Sequence, residues 1–385
     1  MAPPRGFPVA EFRQRTRAAQ ALMAKQDLDA LLLTTEPEIR YYTGFLTRFW
    51  ESPTRPWFVI IPATGDPIAV IPSIGAHLMG QSWITDIRTW AAPDYEDDGI
   101  GLLVGALSEI VPASGKIGLA DQIESHVRMP LADLRRLEAA LSPRATVGDA
   151  TSTRRLRMVK SEAEIDKIRH AAGIANRAFD LVPESVSAGL PLSEVFRRFQ
   201  ILCLEGGADW VPYLAGAADR GGYADVISPA TDTPLELGDV LMLDTGLVWD
   251  GYFCDFDRNF SVGQPRPEVI AAHSRLIDAT QAAAGIAKPG VTIADLFHAM
   301  NAVVNPGGDV MEAGRLGHGL GMQLTEWPSI ISQDHSVLVP GMVLTLEPSV
   351  AMRDGRIMVH EENIVIRETG AEFLSEPQAH GIRVI

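Results

Sequence analysis

The sequence predicts an α+β protein in two parts: a smaller α/β domain over residues 1–153, then a domain over 154–385 built on a curved antiparallel sheet. Three observations carry this. In the first third, short apolar runs alternate with helical patterns. A stretch punctuated by Ser, Thr and Gly, SPRATVGDATSTRRLRMVKS (142–161), interrupts that alternation. Beyond it, two pairs of strand-like runs are separated by amphipathic helices.

The elements follow in order. Residues 9–26 have the periodicity of an amphipathic helix, and LDALLL (28–33) reads as a buried strand. WFVIIP (57–62) and PIAVIP (67–72) form a strand pair around the Thr64-Gly65-Asp66 turn. KIGLA (116–120) is a further strand, followed by a helix near 130–140 and a strand near 145. Residues 161–182 make a strong helix: Ser161 and Glu164 form a capping box, and Ile165, Ile168, Ala172, Ala175 and Phe179 keep helical spacing. A second helix spans 191–205. Strands are expected over 240–250 and 251–262, and again over 342–354 and 355–367, with helices at 267–284 and 292–304 between the pairs.

Composition narrows the function. The 385 residues carry 33 Lys+Arg against 49 Asp+Glu, a net charge of −16. So acidic a chain is ill suited to nucleic acid or an anionic membrane surface. Cys203 and Cys254 are too few for a disulfide framework or a thiolate zinc site, which points to a reducing, cytoplasmic setting. No signal-peptide pattern and no transmembrane run is expected.

The chemistry lies in acids set inside apolar strands. Asp244 follows VLML, Asp255 sits between Cys254 and Phe256, Glu347 follows VLTL, and Glu361 precedes a final apolar run. Burying lone carboxylates costs several kcal/mol unless cations accompany them. No Lys or Arg is patterned to neutralise all four; two divalent ions would. His318, in Gly317-His318-Gly319-Leu320-Gly321, adds an imidazole where bare backbone allows close approach. Oxygen-rich ligation suits Mn, Fe, Co or Zn.

At this point a resemblance becomes plain. LDTGLVWDGYFCDFDRNFSVG resembles the first metal motif of the creatinase/prolidase/aminopeptidase P/methionine aminopeptidase superfamily, the pita-bread fold. GHGLGMQLTEWP is similar to its histidine motif, PGMVLTLEPSV to its first glutamate motif and VHEENIVI to its second. LDALLLTTEPEIRYYTGF (28–45) resembles the creatinase-type N-terminal domain, and RLRMVKSEAEIDKIRHAAGIA (155–175) the entry to the catalytic domain. The resemblance implies two divalent metal ions on Asp244, Asp255, His318, Glu347 and Glu361, with Glu347 moving the proton. It also implies an Xaa-Pro dipeptide or a similar amide as substrate, attacked by hydroxide held between the ions, and a homodimer.

The chain departs from the family in two ways. The auxiliary histidines are missing: Thr325 stands where one is usual, GGYADVISPATDTPLELGD (221–239) holds none, and Gly314, Arg315 and Leu316 precede the motif histidine. Such groups contribute typically 10²–10⁴-fold to a rate. And Asp257 replaces the usual Thr two residues after Asp255. Strand alternation places Asp255, Asp257 and Asn259 on one face, making Asp257 an extra ligand, a general base or an anionic contact; as a bland alternative it is a surface acid at a bulge or pairs with Arg258 or another Arg. The same rule turns Cys254 away and sets His360 opposite Glu361 in a structural role. Thr325, Trp327, Trp50 and Tyr223 are the candidate pocket residues. The competing reading is a metal-dependent lyase or hydrolase on a small onium metabolite, as in dimethylsulfoniopropionate cleavage, favoured by the missing histidines and the added acid.

Overall fold

The computed structural model describes residues 2–52, 55–149, 151–307 and 314–385. They form two compact units, Pro4–Arg157 and Met158–Ile385.

The first unit is α/β. Its strands are β1 (Ala30–Leu33), β2 (Phe58–Pro62), β3 (Ile68–Pro72), β4 (Asp86–Trp90), β5 (Lys116–Leu119) and β6 (Ala145–Gly148). They form one mixed sheet in the order β4-β3-β2-β1-β5-β6. β2 and β3 pair antiparallel across the anticipated turn, while β5 runs parallel to β1 and β6. Helices Ile100–Ile110 and Leu131–Leu141 cover one face, where Leu103, Leu107, Leu137 and Leu141 pack with Ile60, Val70 and Ile117. Each such fully buried side chain stabilises the unit by about 1.5–3 kcal/mol relative to exposure.

The second unit carries β7 (Trp210–Arg220), β8 (Asp239–Trp249), β9 (Tyr252–Phe253), β10 (Phe256–Ser261), β11 (Gly317–Gly319), β12 (Glu326–Ser329), β13 (Val343–Leu346), β14 (Ser349–Ala351), β15 (Ile357–Val359), β16 (Glu362–Arg367), β17 (Gly370–Phe373) and β18 (Arg383–Val384). One sheet runs β18-β10-β8-β7 with β9 on β8, and another runs β12-β11-β13-β16-β17; β14 and β15 form a separate ribbon. Each sheet has its own helices. The Glu162–Asp180 helix, closed by the Ser161–Glu164 capping box, and the Leu192–Glu205 helix pack on Leu241, Leu243, Phe256 and Phe260. Helices Pro267–Ile286 and Ile293–Val304 pack on Leu344, Leu346, Ile364 and Ile366. Along β8, Leu241 and Leu243 join the first cluster while Val240 and Met242 join the second. Period-2 alternation therefore sends Asp244 inward with Val240 and Met242.

Three of the anticipated strands are not continuous. The 251–262 run breaks between β9 and β10 at Cys254 and Asp255, the 342–354 run between β13 and β14 at Glu347 and Pro348, and the 355–367 run between β15 and β16 at His360 and Glu361. Every break falls on a carboxylate the sequence singled out. β7 is an element the sequence reading did not contain; its small residues (Leu214-Ala215-Gly216-Ala217-Ala218) hide the alternation.

Candidate metal centre

The breaks and the β8 register bring the acids together. Ligand atoms of Asp244, Asp255 and Glu361, all buried, lie within 4.8 Å of one another. Asp257 is directly opposite Asp244 in the β8–β10 ladder. The Glu347 carboxyl, half-buried, stands close enough to Glu361 to influence its charge. His318 sits on β11, clamped between β12 and β13. A Cβ on Gly317 would stand 2.2 Å from the Thr345 carbonyl oxygen, and one on Gly319 2.6 Å from that of Trp327. The flanking glycines are thus what allows β11 to carry the histidine into so narrow a slot.

The electrostatics call for cations. Burial, and then mutual repulsion, holds the carboxyls of Asp244, Asp255 and Glu361 well above the usual range. Burial also holds His318 neutral, down at about 4, with Arg315 nearby adding to the effect. The His318 Nδ1 lies 2.8 Å from the Gly319 carbonyl oxygen, which only accepts, so the proton is on Nδ1. The Nε2 lone pair then faces Asp255 Oδ2 at 3.3 Å. Two acceptors face each other, an arrangement that is repulsive until a cation lies between them. Asp244 Oδ1 and Glu361 Oε2 are buried with no hydrogen-bond partner. Orphaned oxygens and a bare imidazole nitrogen fit oxygen- and nitrogen-ligated divalent ions.

A layer of hydrogen bonds holds these groups in place. Asn363 Oδ1 accepts from the Asp255 amide at 3.0 Å and its Nδ2 donates back to the Asp255 carbonyl, pinning the β9–β10 break. Arg258, buried, donates to the Asp257 and Glu361 carbonyls at 2.7 and 3.1 Å and to Glu362 Oε2 at 3.1 Å. Asp257 Oδ1 accepts from the Glu361 amide at 2.8 Å, and Asn259 Nδ2 approaches its Oδ2 at 3.4 Å. Asp257 is therefore a brace under Glu361, standing opposite Asp244. His360, anticipated on the far face, lies with Nδ1 3.4 Å from Asp257 Oδ1 and Nε2 3.1 Å from Glu362 Oε1. Burial pulls the His360 pKa down, but the two carboxylates prevail and the net shift is upward.

The anticipated pocket residues divide. Thr325 and Trp327 are half-buried beside β11, and Arg315 Nη2 donates to Thr325 Oγ1 at 3.3 Å. Tyr223 is sealed in the core; its hydroxyl donates to Asn259 Oδ1 at 3.1 Å and accepts from the Val359 amide at 2.7 Å. It supports the layer below the site and does not line a pocket. Trp50 belongs to the first unit, buried against Trp57 at 5.7 Å with the Arg128 guanidinium 5.1 Å from its ring. Its ring is occupied by that unit's own packing, which corrects the expectation of a pocket wall. Tyr213 was missed. In β7 it lies two residues from Ala215, the cross-strand partner of Asp244, so the half-buried Tyr213 shares that face with Asp244. Burial and the nearby acids push the Tyr213 hydroxyl's pKa upward. Recognising β7 as a strand would have found it.

A two-sheet fold with buried acids and one bare imidazole nitrogen converging between the sheets defines a metal-dependent hydrolase. The metallopeptidase family M24 profile matches residues 166–368, and the creatinase/prolidase N-terminal domain profile matches residues 15–159. The chain is 29% identical over 378 residues to the probable dipeptidase PepE of Mycobacterium tuberculosis, covering 95% of each chain. It is 25% identical over 372 residues to an Xaa-Pro dipeptidase of Pyrococcus horikoshii, covering 95% of this chain and 98% of the relative. The crystal structure of dipeptidase PepE from Mycobacterium ulcerans matches with a TM-score of 0.84 and 28% identity, covering 98% and 99% of the two chains. The chain belongs to metallopeptidase family M24, and it is a metallohydrolase. Among the described residues no helix is long and apolar enough to cross a membrane.

Proposed function

We propose that this enzyme hydrolyses Xaa-Pro dipeptides or closely similar short peptides with two divalent ions held by Asp244, Asp255, His318, Glu347 and Glu361. The observation that carries the reading is the His318 Nε2 lone pair facing Asp255 Oδ2 at 3.3 Å among carboxylates with orphaned oxygens. The relatives named dipeptidase and Xaa-Pro dipeptidase support the substrate class. When bound, such ions polarise a carbonyl oxygen and lower the pKa of water.

The remaining tasks fall to this chain's side chains. Glu347, half-buried with its carboxyl raised first by burial, is placed to take a proton at its carboxylate and return it to the leaving amine. Tyr213 stands on the face of Asp244 and flanks it. Thr325, Trp327 and Arg315 stand at the half-exposed side of β11, where substrate enters. Asp257, Arg258 and Asn363 hold the breaks that carry Glu361 and Asp255. The onium-lyase alternative is not favoured: the relatives are named as peptidases, and the acid that suggested a cationic substrate is engaged by the Glu361 amide.

The metal is proposed as Mn, Co, Zn or Fe. A cytoplasmic location is proposed from two buried free cysteines, and a homodimer from the family resemblance. The test is a panel of Xaa-Pro dipeptides and tripeptides offered to protein loaded with Mn²⁺, Co²⁺ or Zn²⁺, with metal content measured in parallel. Turnover by protein holding two ions per chain is expected. Full metal content without turnover of any member would overturn the substrate assignment.

A further inference from the structure

Away from the metal centre, the second unit carries a cavity of about 540 Å³ lined by Arg220, Arg266, Arg275, Arg353 and Arg356. Its size is within the range of small-molecule sites. The arginines come from separate elements. Arg220 ends β7, Arg266 and Arg275 flank the first turns of the Pro267–Ile286 helix, Arg353 is in the turn between β14 and β15, and Arg356 directly precedes β15. Ala272, Val350 and Met352 give the cavity an apolar side.

The charges there are not balanced. Glu268 and Asp354 are the acids of the lining. Glu236 holds Arg220 at 3.2 Å and Asp219 holds Arg356 at 2.8 Å, while Glu268 is only within 3.9 Å of Arg266. Arg275 and Arg353 have no carboxylate within 4.0 Å among the described residues. Cations therefore exceed anions even with Asp219 and Glu236 counted. In a chain of net charge −16 this is the reverse of the general surface. Converging guanidiniums repel one another until an anion joins them. The lining has five arginines and no lysine, and the planar guanidinium fork matches phosphate oxygens two at a time. The amides opening a 20-residue helix add partial positive charge on the same side.

We propose that this cavity is a binding site for a small phosphorylated metabolite carrying at least a diphosphate group. Two paired arginines form its fixed wall, and Arg275 and Arg353 supply the free donors. Since β14 and β15 join Glu347 to Glu361, a bound diphosphate ties the hairpin between those two acids to the helix facing it.

The test is calorimetric titration of the full-length chain, at low salt and without added divalent ions, with pyrophosphate, ADP and citrate. One site per chain is expected for pyrophosphate, with affinity falling as salt rises. Saturation by ADP at the same site identifies a nucleotide as a source, while pyrophosphate alone identifies the free diphosphate; either supports the site. The Arg275→Ala/Arg353→Ala variant removes two exposed side chains without acidic partners, and a circular-dichroism melt checks its fold. Its affinity is expected to fall roughly tenfold for each charge-assisted donor lost. Absence of saturable binding up to millimolar pyrophosphate would overturn the proposal. So would equal affinity of the variant, which would place the anion elsewhere, or citrate binding as tightly as pyrophosphate.

Discussion

Replacing Glu362 by Gln tests the layer that holds the metal centre. Its carboxylate is 1% exposed and accepts from Arg258 Nη2 at 3.1 Å, the Gln378 amide at 3.0 Å and the Ser375 hydroxyl, with the His360 ring nitrogen Nε2 3.1 Å away as a charge partner. Burial would push its pKa up, but Arg258 and then His360 bring it down to about 2. A fall of that size from the ordinary Glu value corresponds to on the order of 3 kcal/mol at neutral pH. Losing one partner of a buried ion pair costs about 3–5 kcal/mol by a separate route, and the Gln amide would also point hydrogens at donors. The folded-state pKa lies below the unfolded one. The stabilisation is therefore complete above the unfolded value and is lost as pH falls toward about 2. Urea unfolding of wild type and Glu362→Gln, both in chelator, should show a gap of about 3–5 kcal/mol at pH 7. The gap should narrow by roughly 1 kcal/mol at pH 3.5. Taking the difference cancels the opposing titration of the raised carboxyls, which both proteins share. Equal stability at pH 7, or a gap indifferent to pH, would refute the reasoning.

Asp257→Ala strips the Glu361 amide of its 2.8 Å acceptor, which should cost about 1–3 kcal/mol and weaken metal binding about 10–100-fold. Asp257→Asn keeps an oxygen for that amide and should bind metal within about threefold of wild type, so competition titration against a fluorescent chelator separates brace from ligand. Stripping metal should lower the thermal midpoint, because buried carboxylates then face one another uncompensated; metal restored to about 100 times its Kd should return about 2.7 kcal/mol. A midpoint indifferent to metal in scanning calorimetry would count against a site formed by folding.

The four acids and the imidazole proposed as ligands were legible because each breaks an apolar pattern that has no other use for it. The first unit's strands and the helices were legible for the same reason, periodicity. What failed was everything that depended on a strand being continuous. The bond from the Glu361 amide to Asp257 spans such a break, and no alternation along a single strand records it. Tyr223 and Tyr213 have the same side chain in different surroundings. One is engaged at both ends of its hydroxyl by Asn259 and Val359, the other flanks Asp244 from a strand of small residues. Hydrogen-bond partners far apart in sequence decide such cases, and no local pattern records them. The same holds for Asn363, whose two bonds to Asp255 join the two sheets.

The position of the acids in the chain gives any bound ion a second part to play. Asp244 lies in β8 and Asp255 directly precedes β10 in one sheet, whereas His318 lies in β11, Glu347 directly follows β13 and Glu361 directly precedes β16 in the other. An ion shared across that boundary is a cross-link. It closes long loops of the unfolded chain at one point, much as a disulfide does, and like a disulfide it restricts the ways in which the halves can separate. Opening of one sheet from the other then requires ligand release first, so amides along β8 and β13 would exchange with solvent at the pace of metal dissociation.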